Sequence, residues 1–146
     1  MRDTFNITRE KSISCQIESA IQLYFSKNYL SSLTLAAAAE DATPNTEKPH
    51  LYLLAKQTGE EKGLKKVHDM INGTKNWLKH WDETKPQEIN FDTIETVFMI
   101  TRAITKYSAY YPKSYELQKF EHFISHIKEH LDFKKILSQS YTDQVN

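Results

Sequence analysis

Apolar side chains recur at spacings of three and four through most of the chain, and this period is compatible with helix and incompatible with strand. Ile13, Ile17, Ala20, Ile21, Tyr24 and Phe25 form the first such stripe, predicting a helix from about Thr8 to Lys27 that stops at Asn28. No alternating pattern competes with it. With 3 Gly and 4 Pro, turns are too scarce for a β architecture, while a hydrophobic content of 39% suffices for a core. At roughly 100 to 200 residues per domain, 146 residues predict a single domain spanning 1–146. The fold class expected is therefore all-α, a bundle of about five or six helices with antiparallel neighbours.

The remaining elements follow from stripes and breakers. A second helix, Ser32 to Ala42, carries the small residues Ala36 to Ala39, which permit close contact, so the first two helices should form a tight hairpin. Pro44 and Pro49 make Thr43 to Pro49 a loop, and a short helix follows from His50 to Gln57. Gly59 and Gly63 bracket a looser region before a longer helix, Leu64 to Trp81. Asp82 to Ile89, containing Pro86, reads as a surface loop, and Asn90 or Asp92 can cap the next helix, which buries Ile94, Val97, Phe98, Ile104 and Tyr107 until Pro112. Ser114 caps a last helix ending near Leu137, and the polar tail 138–146 is expected to fray.

Charge and cysteine content narrow the function classes. Lys plus Arg (19) equals Asp plus Glu (19), so no global field draws the protein to nucleic acid or an anionic membrane, and any polyanion site must be local. The charged N-terminal segment lacks a signal-type apolar region, and no run of about 18 apolar residues occurs, so a cytoplasmic protein without a membrane partner is expected. Cys15 is the single cysteine, in keeping with a reducing compartment. No phosphate loop, nucleophile elbow or dinucleotide fingerprint is present, and no cofactor is implied.

The most informative segment is Asn72 to Asp82. At about 100° per residue, Val67, Met70, Ile71, Thr74, Leu78 and Trp81 define a core stripe, leaving Asp69, Asn72, Gly73, Asn76, Lys79 and His80 opposite, with Lys75 and Trp77 on the flanks. A solvated face is the plain reading of such residues. Asn and His, however, are mediocre helix formers, and Gly73 inside a helix costs about 1 kcal/mol relative to Ala while permitting close approach by another backbone or a ligand. A partner across this face is therefore expected. Chemically, His80 suits general acid or base work on a ribose 2′-hydroxyl, Lys75 could stabilise charge on phosphate oxygens, and Asn76 could orient the His or hydrogen-bond a ligand. Lys75 and His80 diverge by roughly 140° around the axis, so a second subunit would complete such a site more easily than one helix.

Lys75-Asn76-Trp77-Leu78-Lys79-His80 resembles the Arg-(Asn/Asp/His)-x-x-x-His signature of the HEPN superfamily, small helical-bundle proteins common in bacterial toxin–antitoxin and defence systems. The segment Ile17 to Tyr24, followed by Ala36 to Glu40, is also similar to the opening hairpin of such proteins, with an Ala-rich helix ending in Glu. The same pieces resemble uncharacterised bacterial helical proteins with an Asn-x-x-Lys-His element. The resemblance implies a homodimer that binds RNA and cleaves it without metal, an antitoxin-type protein being another partner. His80, Lys75 and Asn76 would be the catalytic set, and Asn72, Gly73, Lys79, Asp82 and Glu40 the binding set. This sequence carries Lys75 where the signature has Arg, and Lys lacks the planar fork that grips phosphate bidentately, so binding without cleavage is the conservative reading. The competing expectation is a non-catalytic interaction bundle in which Asn72, Asn76 and His80 hydrogen-bond across an interface.

Two further groups stand out. His122, His126 and His130 recur every fourth residue, a spacing that suits metal ligation by a pair such as His122 and His126, yet their drift of about 40° per step argues against three reaching one ion, and no metal is assigned. Tyr107, Tyr110, Tyr111 and Tyr115 crowd around Pro112 and are expected to pack a helix corner. Glu40 and Asp41 lie near a helix C-terminus, where acids oppose the dipole, so a Lys or His facing them across the bundle is expected.

Overall fold

The computed structural model of the chain describes residues 2–61, 67–130 and 132, and of residues 58–61 and 67–71 the backbone alone. Among the described residues every regular element is helical: α1 (Arg9–Phe25), α2 (Tyr29–Ala42), α3 (Leu51–Glu61), α4 (Val67–Lys79), α5 (Ile94–Tyr110), a 3-10 helix (Tyr115–Phe120) and α6 (Glu121–His130). No helix there is long and apolar enough to cross a membrane.

The hairpin of α1 and α2 is the base of the core, and α5 packs across it. Ile13, Ile17 and Ile21 of α1 meet Leu33, Ala36, Ala37 and Ala39 of α2 and Val97, Ile100, Ala103 and Ile104 of α5, all buried. The alanines let helix axes approach, as their size requires. Ser32 and Thr96 sit inside this contact with their hydroxyls satisfied: Ser32 Oγ donates to the Ala20 carbonyl at 2.5 Å and Thr96 Oγ1 to the Tyr29 carbonyl at 3.0 Å. Phe120, Phe123 and Ile127 close the other end of the core. The helices α3 and α4 pair with each other, α3 leaning on α5 and α4 on α2.

Several boundaries differ from the expected ones for identifiable reasons. Thr8, the expected start of the first helix, caps α1, accepting from the Lys11 N–H at 3.2 Å. The helix ends one residue pair early because Lys27 adopts φ 64°, with Lys27 N–H donating to Tyr24 O at 2.9 Å and Asn28 N–H to Leu23 O at 2.8 Å. This left-handed stop turns the chain at once into α2, which starts at Tyr29, three residues before the expected Ser32; Ser32 is thereby inside the helix and buried. The helix α3 runs through Gly59 to Glu61, where a loop was expected, while Gly63 lies outside the described residues. Asp92 caps α5, its Oδ1 accepting from Ile94 N–H and its own N–H donating to Glu95 Oε2, both at 3.0 Å. Ser114 Oγ does accept from Glu116 N–H at 3.2 Å, but the element it opens is the 3-10 helix, with α6 continuing from Glu121. Leu137 and the tail 138–146 lie outside the described residues.

Candidate functional site

The inward side of α4 is wider than its apolar pattern predicts. Thr74 is buried and Leu78 packs against the core as expected. Asn72, expected on the polar side, is also buried at 4% exposure, and Lys75 turns inward beside it. Trp81, expected at the end of the core stripe, is 43% exposed and has left the helix. Val67, Met70 and Ile71 have side chains outside the description, and so has Asp69. Across the bundle lie the charged groups of α2 and α5 that Asn72, Lys75 and Lys79 meet.

Those charged groups form a buried network. Arg102 of α5 is fully buried and meets Glu40 of α2 through two contacts, Nη2 to Oε1 at 2.7 Å and Nε to Oε2 at 2.6 Å. The same Nη2 donates to Asn72 Oδ1 at 2.9 Å, tying α4 to both. The guanidinium lies 4.6 Å from the centre of the Tyr52 ring, so α3 covers it with an aromatic face. Lys106, one turn on, donates to the Glu40 carbonyl at 3.0 Å and satisfies the C-terminal end of α2. Glu40 thus stands against the unfavourable end of its helix dipole because two buried cations hold it there. Asp41 next to it faces outward and accepts from Lys75 Nζ at 2.6 Å and Lys79 Nζ at 2.7 Å. The expectation that Glu40 and Asp41 face cations across the bundle is met in this form.

Around the network is a cavity of about 380 Å³, with Asn45, Thr46, His50, Tyr52 and Lys56 completing the wall formed by Glu40, Asp41, Asn72, Lys75, Arg102 and Lys106. His50 enters it because Thr105 of α5 accepts the Leu51 N–H at 3.0 Å and fixes the start of α3. His50 is 6% exposed, and burial, seconded by Lys106 and Arg102 and opposed by the Thr46 backbone and Glu40, pushes its imidazole below the ordinary range. Burial likewise lowers Lys106, with Lys75 and Arg102 adding to it against Glu40 and Asp41. Partial burial pushes Asp41 up, but its hydrogen bonds to Lys75 and Lys79 and their charges outweigh that, leaving the carboxyl below its usual value.

The opposite face of α4 carries the other expected residues. Gly73, Asn76 and His80 follow one another at spacings of three and four and point away from the cavity. Gly73 and His80 are exposed and Asn76 is half-buried. A Cβ built on Gly73 meets no atom within 4 Å, so nothing in the chain itself requires glycine there. Beside this face the indoles of Trp77 and Trp81 both donate to the Pro86 carbonyl, at 2.8 and 3.2 Å, and Lys85 Nζ donates to the His80 carbonyl, which closes the end of α4. Asp82 serves that same turn, accepting from Thr84 N–H at 2.8 Å. In the single chain the set Lys75, Asn76 and His80 therefore does not converge: Lys75 belongs to the Asp41 side and His80 to the outer face.

Arg102, Lys106, His50 and Tyr52 are absent from the sequence-level site. A signal for two of them existed, because Arg102 and Lys106 fall among Met99, Ala103 and Tyr107 in a helix buried almost all round, and a cation inside an apolar stripe needs a buried partner. His50 and Tyr52 carry no such signal. Among the described residues no group of three His, Cys, Asp or Glu side chains is placed to hold a metal ion. His122 instead stacks on Phe25 with ring centres 5.6 Å apart, and His126 lies against Phe25 at 5.2 Å and Tyr24 at 5.9 Å. Tyr107 packs the corner as expected, its hydroxyl 2.9 Å from Ser114 Oγ and its ring 4.9 Å from Tyr111, whereas Tyr115 is 90% exposed. No protein-family model, curated protein or solved structure matches the chain.

Proposed function

We propose that the chain works as a homodimer paired through the outer face of α4 and holds RNA across that pairing, as its resemblance to HEPN proteins implies. The observation that carries this reading is Gly73: an exposed glycine in the middle of a helix, in open space, on the same face as Asn76 and His80. Its cost of about 1 kcal/mol relative to Ala finds no return inside the chain and a direct one if a second α4 crosses closely there. Such a crossing brings two copies of Asn76 and His80 together, where a ribose hydroxyl or phosphate can meet both. Lys75 and Lys79 are clamped by Asp41, so the reading is binding first, with cleavage requiring Lys75 to leave that ion pair.

The Asp41 clamp favours a second reading, a dimer without nucleic acid, because it removes two cations from the face that RNA would touch. One experiment separates the two. Sedimentation of the native protein and of Gly73→Gln, together with fluorescence anisotropy on labelled single-stranded RNA in EDTA, should show a native dimer that binds RNA and a folded Gly73→Gln monomer that does not. A native monomer, or a Gly73→Gln protein that dimerises as before, refutes the pairing. A dimer blind to RNA leaves the second reading, and cleavage that vanishes in His80→Ala adds the catalytic step.

A further inference from the structure

The cavity on the inner side of α4 is independent of the pairing face, and its charge balance is one-sided. Its wall carries two carboxylates, and both are engaged: Glu40 by Arg102 and Asp41 by Lys75 together with Lys79. Lys106 and Lys56 reach the same wall, Lys106 feeling the charges of Glu40 and Asp41 without forming a side-chain ion pair with either. Lys106 is 7% exposed and hydrogen-bonds the Glu40 carbonyl, which uses one of the three N–H donors of an ammonium. His50, also more than nine-tenths buried, lines the cavity with an Nδ1 that makes no well-aligned hydrogen bond among the described residues, the Thr46 backbone being the polar group beside its ring. A buried ring nitrogen without a well-aligned hydrogen bond is a costly group to leave inside a fold, and a ligand atom is one way to complete it. Thr46 and Asn45 add a hydroxyl and an amide at the rim.

We propose that this cavity binds a small organic phosphate monoester, with Lys106 and Lys56 facing the phosphate oxygens and His50 Nδ1 hydrogen-bonding the same group or an adjoining hydroxyl. Lys56, Lys75, Arg102 and Lys106 against Glu40 and Asp41 leave the wall with two cations in excess, which the charge of a dianion matches. The volume of about 380 Å³ lies in the roughly 300 to 1,000 Å³ range of small-molecule sites and leaves space for an organic portion beside the phosphate. The exposed stem of Lys56 and the Tyr52 ring, already covering Arg102, are the surfaces that portion would meet.

Isothermal titration of the full chain with inorganic phosphate, with 5′-AMP and with adenosine at matched ionic strength tests this, with the His50 ring resonances followed in parallel. Both phosphate-bearing probes should bind and shift His50, and adenosine should not; tighter binding of 5′-AMP than of inorganic phosphate places the organic portion in the cavity. Lys106→Met should weaken 5′-AMP binding roughly tenfold or more, the loss of one charge-assisted contact. Lys56→Gln, at an exposed position, should weaken it without altering the circular dichroism, which separates lost charge from lost fold. Lys113→Met, at an exposed position outside the cavity wall, should leave it unchanged. The proposal is overturned if neither phosphate probe binds, if adenosine binds as well as 5′-AMP, or if Lys56→Gln and a folded Lys106→Met both retain full affinity.

Discussion

Arg102 is the residue on which the α2, α3, α4 and α5 contacts converge, and its energetics are those of a buried charge that is worth keeping only while it is paired. Arg102→Met leaves the Glu40 carboxyl without its guanidinium partner inside the bundle and should cost about 3 to 5 kcal/mol in urea denaturation. The double variant Arg102→Met with Glu40→Met should recover most of that loss, since an apolar pair of similar volume suits the site as well. A double variant as unstable as the single one would show that the pair does more than neutralise itself. His50 supplies a pH dependence. Its folded value lies below the ordinary 6.5, so below pH 6.5 the unfolded chain binds more protons and stability is lost as pH falls through that window. The urea midpoint should therefore be higher at pH 7.5 than at pH 5.5, and His50→Gln should reduce the difference.

Among elements, the α1–α2 connection holds local strain that a single substitution can relieve. Lys27 has φ 64°, a conformation that costs a residue with a side chain roughly 1 to 2 kcal/mol. It is exposed and its backbone hydrogen bond to Tyr24 is available to any residue, so Lys27→Gly should stabilise the chain by about 1 kcal/mol, read from thermal or urea unfolding. A loss of stability would mean the Lys27 side chain contributes more than its backbone costs. On α4 the analogous change, Gly73→Ala, fills open space on an exposed helix and should raise the stability of the isolated chain by up to about 1 kcal/mol while weakening any dimer that uses this face. Opposite signs for the two quantities in one variant are what an intermolecular role predicts; two gains would argue that the glycine serves no partner.

For the whole molecule, equal numbers of cations and anions set the terms of any polyanion binding. With Lys75 and Lys79 held by Asp41, few phosphates can be neutralised at the outer face of α4, so the logarithm of RNA affinity should fall with the logarithm of salt with a slope shallower than about −3. Anisotropy titrations across salt concentrations measure it. A steep slope would require basic surface elsewhere. The small-ligand cavity lies on the other side of α4, so 5′-AMP binding should be unaffected by Gly73→Gln.

The helical class, the α1–α2 hairpin and the alanine contact were legible in the sequence because they rest on periodicity and side-chain size, which are local properties. So were the start of α1 near Thr8, Asp92 as one of two cap candidates with Asn90, and the need of Glu40 and Asp41 for cations. The orientation of α4 was not, because apolar spacing ranks Trp81 above Lys75 and is blind to a guanidinium and two carboxylates brought together from distant segments. His50 and Tyr52 join that network only because α3 lies against α5, a contact with no trace in either segment read alone. What the amino-acid order determined by itself is where helices form and which residues want burial; which polar groups are buried together, and therefore where a ligand can be held, was decided by tertiary packing, since a buried charge takes whatever partner the fold brings within reach.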